Sequence, residues 1–329
     1  MNEADVSDVV IVISVKDTAV LTEYISYFLK NLNTQKIVVI GNRAVQYAIS
    51  HIEHTRFIDE DMLYSGMTFE AVRIILEELN PRAVGRTGWY FQQFLKMAYC
   101  FVTSQKHYLV WDGDTIPLRK LGFYDSQEGR YLFNLKSEFN KPYFDTLEKL
   151  FVPVITKQID RSFISEHMMI NTDIMKNLIA DIESNQQLKG NSFYEKILRA
   201  VDPKNLPVSG LSEYETYGSY MLQHYSAIMK FRNFTTMRHG GMFFGANPTS
   251  SDIEWAAKSF DTISFEKYDR RWGILCFSKS KRYREKHEMQ QLAAFFENFI
   301  YAYSTVRLIV RSILRRRFPV KKEYLICRH

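Results

Sequence analysis

The sequence contains few residues that cross-link, break or loosen a chain. It has 3 cysteines, 8 prolines and 14 glycines among 329 residues. Cys100, Cys276 and Cys327 are far apart and odd in number, and none belongs to a CxxC pair. They therefore indicate neither a disulfide framework nor a structural zinc site, and we expect a reducing, cytoplasmic compartment. The scarcity of proline and glycine argues against long flexible linkers.

Long apolar runs and a secretion signal are also missing. The first apolar run, Val9 to Val15, ends at Lys16 and Asp17, far short of the ~20 apolar residues that a membrane helix needs. We therefore expect neither export nor a membrane span. With 46% hydrophobic, 24% charged and 15% aromatic residues, the composition excludes a disordered or fibrous chain.

The net charge of +6 is unevenly distributed along the chain. Residues 270–329 hold 15 Lys and Arg against 4 Asp and Glu, whereas residues 1–269 hold 28 against 33. The basic character is therefore a property of the C-terminal sequence. No helix-turn-helix, RRM or zinc motif accompanies it, so we do not expect a nucleic-acid partner.

Hydrophobic periodicity predicts an α/β fold. Val9 to Val15 is a β-branched run typical of a buried parallel strand, Thr18 to Asn31 has helical spacing, and Lys36 to Ile40 is a second strand. This β-α-β start is followed by further alternation, with both sheet faces covered. Further strands are predicted at 57–58, 107–111, 131–135, 168–170 and 272–277, and further helices at 44–51, 67–79, 88–104, 173–182, 192–200, 214–229, 253–259 and 285–317.

Two carboxylates follow the strand that ends at Trp111. Asp112 and Asp114 are separated only by Gly113, at the carboxyl end of a strand, where open α/β sheets bind ligands. Two carboxylates that turn toward one point favour a divalent cation, and Mg²⁺ completes its shell with substrate phosphates. The pattern therefore points to diphosphate chemistry. The alternative is a solvated Asp-Gly turn, although the buried strand in front makes that interpretation weaker.

Four segments occur in the order seen in one group of bacterial enzymes. They are GWYFQQFLKM, YLVWDGDT, FISEHMMINTDIM and SEYETYG. Together with the β-α-β start, they resemble the DxD-type glycosyltransferases of the GT-A fold, over about residues 8–245. The resemblance implies a Rossmann-like nucleotide-sugar-binding domain with a mixed, mostly parallel sheet. It also implies that Asp112 and Asp114 hold the Mn²⁺ or Mg²⁺ that bridges the donor diphosphate.

The resemblance also suggests where the donor binds. The candidate donor-binding residues are Lys16, Asp17, Gln92, Gln93, Lys96, Trp111, Asp112 and Asp114. Lys16 and Asp17 end the first strand, where a GT-A domain places its nucleobase. Lys96 is a candidate for a phosphate contact, and the Gln92 and Gln93 amides for a base or ribose hydroxyls. A polar helix face accounts for these three residues equally well, and Trp111 is either a stacking platform or a core aromatic.

Two histidines are further candidates for the site. His239 precedes two glycines, which allow close approach to a diphosphate, and imidazole binds Mn²⁺, so we expect it to be a third metal ligand. His167 leads from polar residues into an apolar strand, and we expect it at a cleft, in contact with the acceptor. The alternative for His167 is a structural histidine.

Glu213 and Glu215 are the candidate catalytic carboxylates. Ser212 and Glu215 stand three apart before a helix and form a capping-box pattern, in which Glu215 reaches back to the N-cap. Glu213 is then left as the general base toward an acceptor hydroxyl, if the reaction inverts the anomeric centre. The alternative for Glu213 is a solvated surface residue.

The C-terminal sequence predicts an amphipathic basic helix. Between Phe295 and Phe318, Arg307, Arg311 and Arg315 recur at intervals of four among apolar residues. Such a helix suits the interface of an anionic membrane, although it also suits packing on a core with a solvated Arg face. We therefore expect a catalytic domain over 1–280 and a basic helical extension over 281–329.

The function expected from these features is transfer of a sugar from a nucleotide diphospho-sugar, with UDP as the expected nucleotide. The acceptor would be a glycan or glycolipid at the inner membrane face, as in bacterial surface polysaccharide or lipopolysaccharide synthesis. Two alternatives remain open: a metal-dependent nucleotidyltransferase or phosphotransferase, which needs the same carboxylates, and a non-catalytic membrane-binding adaptor, which needs only the basic helix.

Overall fold

The computed structural model describes residues 8–245, 247–265 and 273–296. The strands are β1 (Val9–Val12), β2 (Ile37–Gly41), β3 (Thr55–Asp59), β4 (His107–Asp112), β5 (Thr115–Pro117), β6 (Tyr124–Asp125), β7 (Arg130–Asn134), β8 (His167–Asn171), β9 (Met229–Arg232), β10 (Thr236–Met237) and β11 (Thr262–Ser264). The helices are α1 (Thr18–Asn31), α2 (Arg43–Ile49), α3 (Phe69–Leu79), α4 (Thr87–Ala98), α5 (Lys141–Leu150), α6 (Thr172–Ser184), α7 (Phe193–Ala200), α8 (Glu213–Tyr225), α9 (Gly240–Phe244), α10 (Ser250–Ala257) and α11 (Lys281–Lys286).

A five-stranded sheet in the order β3-β2-β1-β4-β8 organises the fold. Its strands run parallel except β8, which pairs antiparallel with β4. The predicted α/β class with a mixed, mostly parallel sheet is therefore confirmed. Two three-stranded sheets, β10-β11-β5 and β6-β7-β9, lie beside it in the described part of the chain.

The central strands are buried because their sequences are apolar and β-branched. Every residue of β2 is buried, and so are Val9, Val10 and Ile11 of β1, as expected for strands covered on both faces. Helix α1 packs its apolar side against the sheet, with the Phe28 ring centroid 6.3 Å from that of Trp111 on β4. This packing fixes the end of β4, where the acidic pair begins.

Three predictions of local structure were wrong or missed. The strand expected at 272–277 is contradicted, because residues Gly273–Lys279 form a 3-10 helix. The glycines at 240 and 241 begin helix α9 rather than only a turn. Helix α5 was not predicted at all, although its buried residues Phe144, Leu147 and Leu150 recur at helical spacing and Pro142 lies in its first turn.

The predicted C-terminal helix is described only at its beginning. Residues 289–296 are helical, and Met289, Leu292 and Phe296 are buried, with the Phe296 ring centroid 5.7 Å from that of Phe243. This part packs on the core, as in the alternative given above, and the remainder of the predicted helix, with all its arginines, lies outside the described residues. The domain boundary after residue 280 stays a prediction. Among the described residues, no helix has the length and apolar character needed to cross a membrane.

Candidate active site

The acidic pair lies at the carboxyl end of the parallel strands. Asp112 is the last residue of β4 and stands opposite Val12, the last residue of β1. A cleft of about 140 Å³, which we call the acidic cleft, opens here. It is lined by Val12, Ile13, Asp17, Gln92, Asp112, Gly113 and Asp114. The structure thus brings together four of the predicted donor-binding residues, from three separate segments of the chain.

Gly113 lets the turn formed by residues 112–114, which we call the acidic turn, lie directly against β1. A Cβ atom at this position would be 2.3 Å from Cγ2 of Ile13 and 3.1 Å from Cγ2 of Ile11. Both neighbours are buried β-branched side chains with few rotamers, so they cannot move aside easily. The spacing of Asp112 and Asp114 is therefore set by a close contact that only glycine permits.

Lys96 neutralises Asp112 from beneath the cleft. Its Nζ donates to Asp112 Oδ1 and to Glu213 Oε1, each at 2.6 Å, and to the Tyr214 hydroxyl at 3.2 Å. The Lys96 side chain is 4% exposed, whereas that of Asp112 is 29% exposed. Lys96 thus serves as a buried counter-cation for two carboxylates, in contrast to the expected phosphate contact.

The ionisation of this cluster follows from its burial and charges. Burial alone would lower the pKa of Lys96, but the Asp112 and Glu213 carboxylates raise it above its ordinary value. Burial raises the pKa of Glu213 and the nearby Asp112 charge adds to this, while Lys96 acts in the opposite direction. Lys96 is therefore held in its charged form.

Tyr214 is a residue of the site that the sequence analysis did not single out. Its hydroxyl donates to Asp112 Oδ1 at 3.1 Å. Tyr214 follows Glu213 at the start of α8, so the SEYETYG segment was the available signal. Two residues of this segment, and not Glu213 alone, therefore hold the acidic turn.

Gln93 and Lys16 are not placed as donor-binding residues would be. Gln93 is buried, its Oε1 accepts from the Glu213 backbone N–H at 3.1 Å, and its Nε2 donates to the Trp89 carbonyl at 3.2 Å. It secures the start of α8, which contradicts the idea that it faces a nucleobase. Lys16 is exposed and is not among the residues that line the cleft. Asp17 does line it, and the Asp17 carboxylate accepts from the Ser14 hydroxyl at 2.6 Å.

His167 lies in the core, so its predicted place at a cleft is wrong. It is 2% exposed and stacks on Trp111, with ring centroids 4.7 Å apart. Its Nε2 is 2.7 Å from Asn134 Nδ2. Burial, followed by the positive charges of Arg232 and Lys136, lowers the pKa of His167 well below its ordinary value, so the ring is neutral.

Trp111 is also a core residue in this structure. It is fully buried, and its indole N–H donates to the Thr115 carbonyl at 2.6 Å. This hydrogen bond spans the acidic turn on its buried side, from Trp111 to Thr115. The stacking of Trp111 on a base or sugar is therefore contradicted, and the alternative of a core aromatic holds.

The two glutamates of α8 face different surroundings. Ser212 is the N-cap as expected, accepting from the Glu215 backbone N–H at 3.2 Å, but Glu215 does not reach back to it. The Glu215 carboxylate accepts instead from the Ser162 hydroxyl and from the Phe163 N–H at 2.9 Å, so the predicted capping box is wrong. Burial raises the pKa of Glu215 despite these bonds. Glu215 is not among the residues that line the acidic cleft and is bonded inside the protein, and its catalytic role stays a prediction.

His239 lies near the acidic turn, at one end of a small sheet. The Asp114 carbonyl accepts from the Phe265 N–H at 2.9 Å, and Phe265 forms a β-bridge with His239. No group of three or more His, Cys, Asp and Glu side chains that suits a metal ion occurs in the part of the chain that the structure describes. Asp112, Asp114 and His239 all lie within that part and do not form such a group, so the structure does not support His239 as a third metal ligand.

Comparisons with known proteins give structural matches only. No protein-family model matches the chain, and the comparison with curated proteins finds no match. Galactosyltransferase LgtC, in complex with donor and acceptor sugar analogs, matches 85% of this chain and 100% of its own at 11% identity and a TM-score of 0.39. Mouse xyloside xylosyltransferase 1 matches 81% of this chain and 99% of its own at 10% identity and a TM-score of 0.40. At these identities and TM-scores, the matches assign no activity, substrate or site to this chain.

Proposed function

We propose that the protein is a metal-dependent glycosyltransferase with a GT-A-type domain, which takes a sugar from a UDP-linked donor and gives it to a glycan or glycolipid. One observation carries this proposal: Asp17, Asp112 and Asp114 line a single cleft at the carboxyl ends of β1 and β4. Ligands of open α/β sheets bind at that edge. A diphosphate beside carboxylates requires a divalent cation, which favours a nucleotide-sugar donor.

The residues present fit a Mg²⁺ or Mn²⁺ ion. Such ions are bound by one or two carboxylates together with substrate phosphates, and Asp112 and Asp114 supply that number. Lys96 and Tyr214 occupy Oδ1 of Asp112. The Asp112 side chain remains 29% exposed. When bound, the cation would neutralise the diphosphate and so make it a better leaving group.

The other residues of the cleft bind and orient the donor in this proposal. Asp17 accepts hydrogen bonds from the nucleobase or ribose, and the half-buried Gln92 offers an amide to the same part of the donor. Lys96 holds Asp112 in place and keeps its charge balanced before the donor arrives. Glu213 shares that positioning task, because its carboxylate is bonded to Lys96 inside the protein.

The deciding experiment is calorimetric titration of the full chain with UDP, with and without MnCl₂. We expect binding that depends on Mn²⁺ and is abolished by Asp114→Asn, with only a small change in stability, because asparagine keeps the size of this half-buried side chain and an oxygen that can accept from the Thr115 hydroxyl. Asp61→Asn removes a carboxylate from an exposed position outside the cleft and is the matched control. UDP binding that ignores Mn²⁺ and survives Asp114→Asn would remove the proposal.

Product analysis separates the enzyme alternatives. A glycosyltransferase incubated with UDP-sugars and Mn²⁺ releases UDP, and slow hydrolysis of the donor suffices to show it. A phosphotransferase that moves the sugar phosphate releases UMP instead, and a nucleotidyltransferase that moves the uridylyl group releases sugar 1-phosphate. The non-catalytic adaptor gives no product and does not bind UDP.

We also propose that the basic C-terminal sequence attaches the protein peripherally to anionic membranes. Its support is the sequence pattern alone, in which each Lys or Arg near such a surface contributes about 1 kcal/mol. Co-sedimentation with phosphatidylglycerol vesicles tests it. A chain ending at Phe296 keeps the buried start of the helix and should lose vesicle binding, whereas equal binding of both chains would refute the attachment.

A further inference from the structure

A second, larger cavity lies beside the acidic cleft. Its volume is about 790 Å³, in the range of sites that bind small molecules. We call it the basic cavity and define it by Lys136, Arg161, Phe234, Arg238, His239 and Gln290, which are among its lining residues. None of its lining residues belongs to the acidic cleft. It is therefore a separate site.

Backbone contacts beside the β10-β11-β5 sheet lead from one cavity to the other. His239 lines the basic cavity and forms a β-bridge with Phe265, and the Phe265 N–H donates to the Asp114 carbonyl. Two strand spacings separate His239 from Asp114, which is roughly 10 Å between their backbones. A molecule in the basic cavity would therefore lie next to a donor in the acidic cleft.

Among the residues that the structure describes, positive charge exceeds negative charge by one around the basic cavity. Three cations, Lys136, Arg161 and Arg238, face two carboxylates, Glu138 and Glu166. Lys136 and Arg238 share the buried Glu166, which Thr236 also contacts at 3.2 Å. Glu138 and Glu166 therefore fix both cations at the wall and match their charges, so the excess positive charge among these residues is that of Arg161.

Arg161 adds an accessible cation at the same cavity. Its side chain is exposed and has no hydrogen bond or ion pair within the described residues. Phe234 adds an apolar aromatic ring to the wall of the same cavity. This ring also packs on His167, at a centroid distance of 4.6 Å. Guanidinium groups recognise phosphate by paired hydrogen bonds, and aromatic faces accept apolar surfaces such as those of a sugar ring.

We propose that the basic cavity binds the phosphate-bearing part of the acceptor, so that the acceptor is a sugar carrying a phosphate rather than a neutral glycan. This inference rests on the proposed transfer function, because it places the acceptor beside the donor cleft. The donor diphosphate is assigned to the metal ion that Asp112 and Asp114 would hold, so the guanidinium groups of the basic cavity are left for a phosphate group of the other substrate. That group enters with the other substrate.

The test compares glucose 1-phosphate with glucose, each titrated calorimetrically into the full chain at low salt. We expect glucose 1-phosphate to bind and glucose to bind at least tenfold more weakly, with the difference shrinking at high salt. Arg161→Gln and Arg238→Gln should each weaken glucose 1-phosphate about tenfold, the effect of one charge-assisted hydrogen bond. Lys204→Gln, at a lysine 77% exposed outside the cavity, is the control and should change nothing.

The outcomes distinguish this inference from the proposed function. UDP with Mn²⁺ should bind all three variants as it binds the wild type, since none of the changed residues lines the acidic cleft. Equal affinity for glucose and glucose 1-phosphate, or unchanged affinity in both arginine variants, would overturn the inference while leaving UDP binding intact. If the wild type does not bind UDP in the presence of Mn²⁺, the proposed function itself is refuted.

A further arm identifies the source of the phosphate. If vesicles containing phosphatidic acid displace glucose 1-phosphate from the wild type but bind Arg161→Gln more weakly, the phosphate belongs to a lipid-linked acceptor. If the vesicles do not compete, a soluble sugar phosphate is the ligand. Both results support a phosphate site at the basic cavity.

Discussion

Lys96 Nζ lies 2.6 Å from both Asp112 Oδ1 and Glu213 Oε1, although these residues are 16 and 117 positions away in the sequence. One buried ammonium group thus joins the end of the central strand to the start of α8. The acidic turn is consequently held in place from inside the protein, before any ligand binds.

Replacing Lys96 by methionine should destabilise the protein strongly. Lys96→Met leaves the Asp112 and Glu213 carboxylates without their counter-charge, and breaking a buried pair in this way costs about 3–5 kcal/mol of the free energy of unfolding. Urea unfolding at pH 7 measures the loss. Lys141→Met is the control, because Lys141 is 71% exposed and its pair with Asp145 lies on the surface.

The destabilisation of Lys96→Met should also depend on pH. Burial raises the pKa of Glu213, and removing the ammonium group raises it further. A carboxyl group with a raised pKa contributes stability below its unfolded pKa and loses that contribution as the pH rises through the folded pKa. The difference in the free energy of unfolding between Lys96→Met and the wild type should therefore become smaller as the pH falls. A loss that is the same at every pH, or equal to that of Lys141→Met, would contradict a charge effect.

Substitutions of Glu213 and Glu215, the two glutamates of α8, should differ in their effect on the stability of the protein. Glu215→Ala removes the acceptor for the Ser162 hydroxyl and the Phe163 N–H, both buried, and each unsatisfied donor costs about 1–3 kcal/mol. Glu213→Gln keeps an oxygen for Lys96 and should cost less stability, while lowering UDP binding and kcat through Asp112. Thermal unfolding of both variants, with the exposed Glu77→Ala as control, gives the comparison. A larger loss in Glu213→Gln would reverse these assignments.

His167 should make the protein less stable in mild acid. Its pKa lies below that of the unfolded chain, about 6.5, so its contribution to stability is complete above that pH. As the pH falls below about 6.5, the unfolded state takes up a proton that the folded state refuses, and stability falls by up to about 1.4 kcal/mol per pH unit. His167→Gln should flatten this slope between about pH 6.5 and 5. The exposed His51→Gln should leave it unchanged, and an unaltered slope in His167→Gln would refute the assignment.

The parts of the site that depend on local pattern were predictable from the sequence. Asp112 and Asp114 follow an apolar strand, and Asp17 follows another, so the meeting of strand ends was enough to place them together. Ser212 was identified as an N-cap because that bond spans three residues. These features need no knowledge of how distant segments pack.

The parts that depend on distant partners were not predictable. Lys96, Gln93 and His167 have polar side chains, and single-sequence reasoning cannot tell a buried polar group with a partner from one that faces solvent. Their partners Glu213 and Asn134 lie on other elements, more than 30 residues away. Packing therefore turned three candidate binding residues into supports for the acidic turn and the core around it.

The contact at Gly113 gives a last prediction that links packing to binding. In Gly113→Ala the new methyl group meets Ile13 Cγ2 at 2.3 Å, so either β1 or the acidic turn must shift. Overpacking of this kind costs about 1–3 kcal/mol, and the shift should weaken Mn²⁺-dependent UDP binding. Gly85→Ala is the matched control, since nothing lies within 4 Å of its new Cβ, and its stability should stay level or rise by up to about 1 kcal/mol. If Gly113→Ala binds UDP as the wild type does, the close contact with β1 does not set the spacing of the two carboxylates.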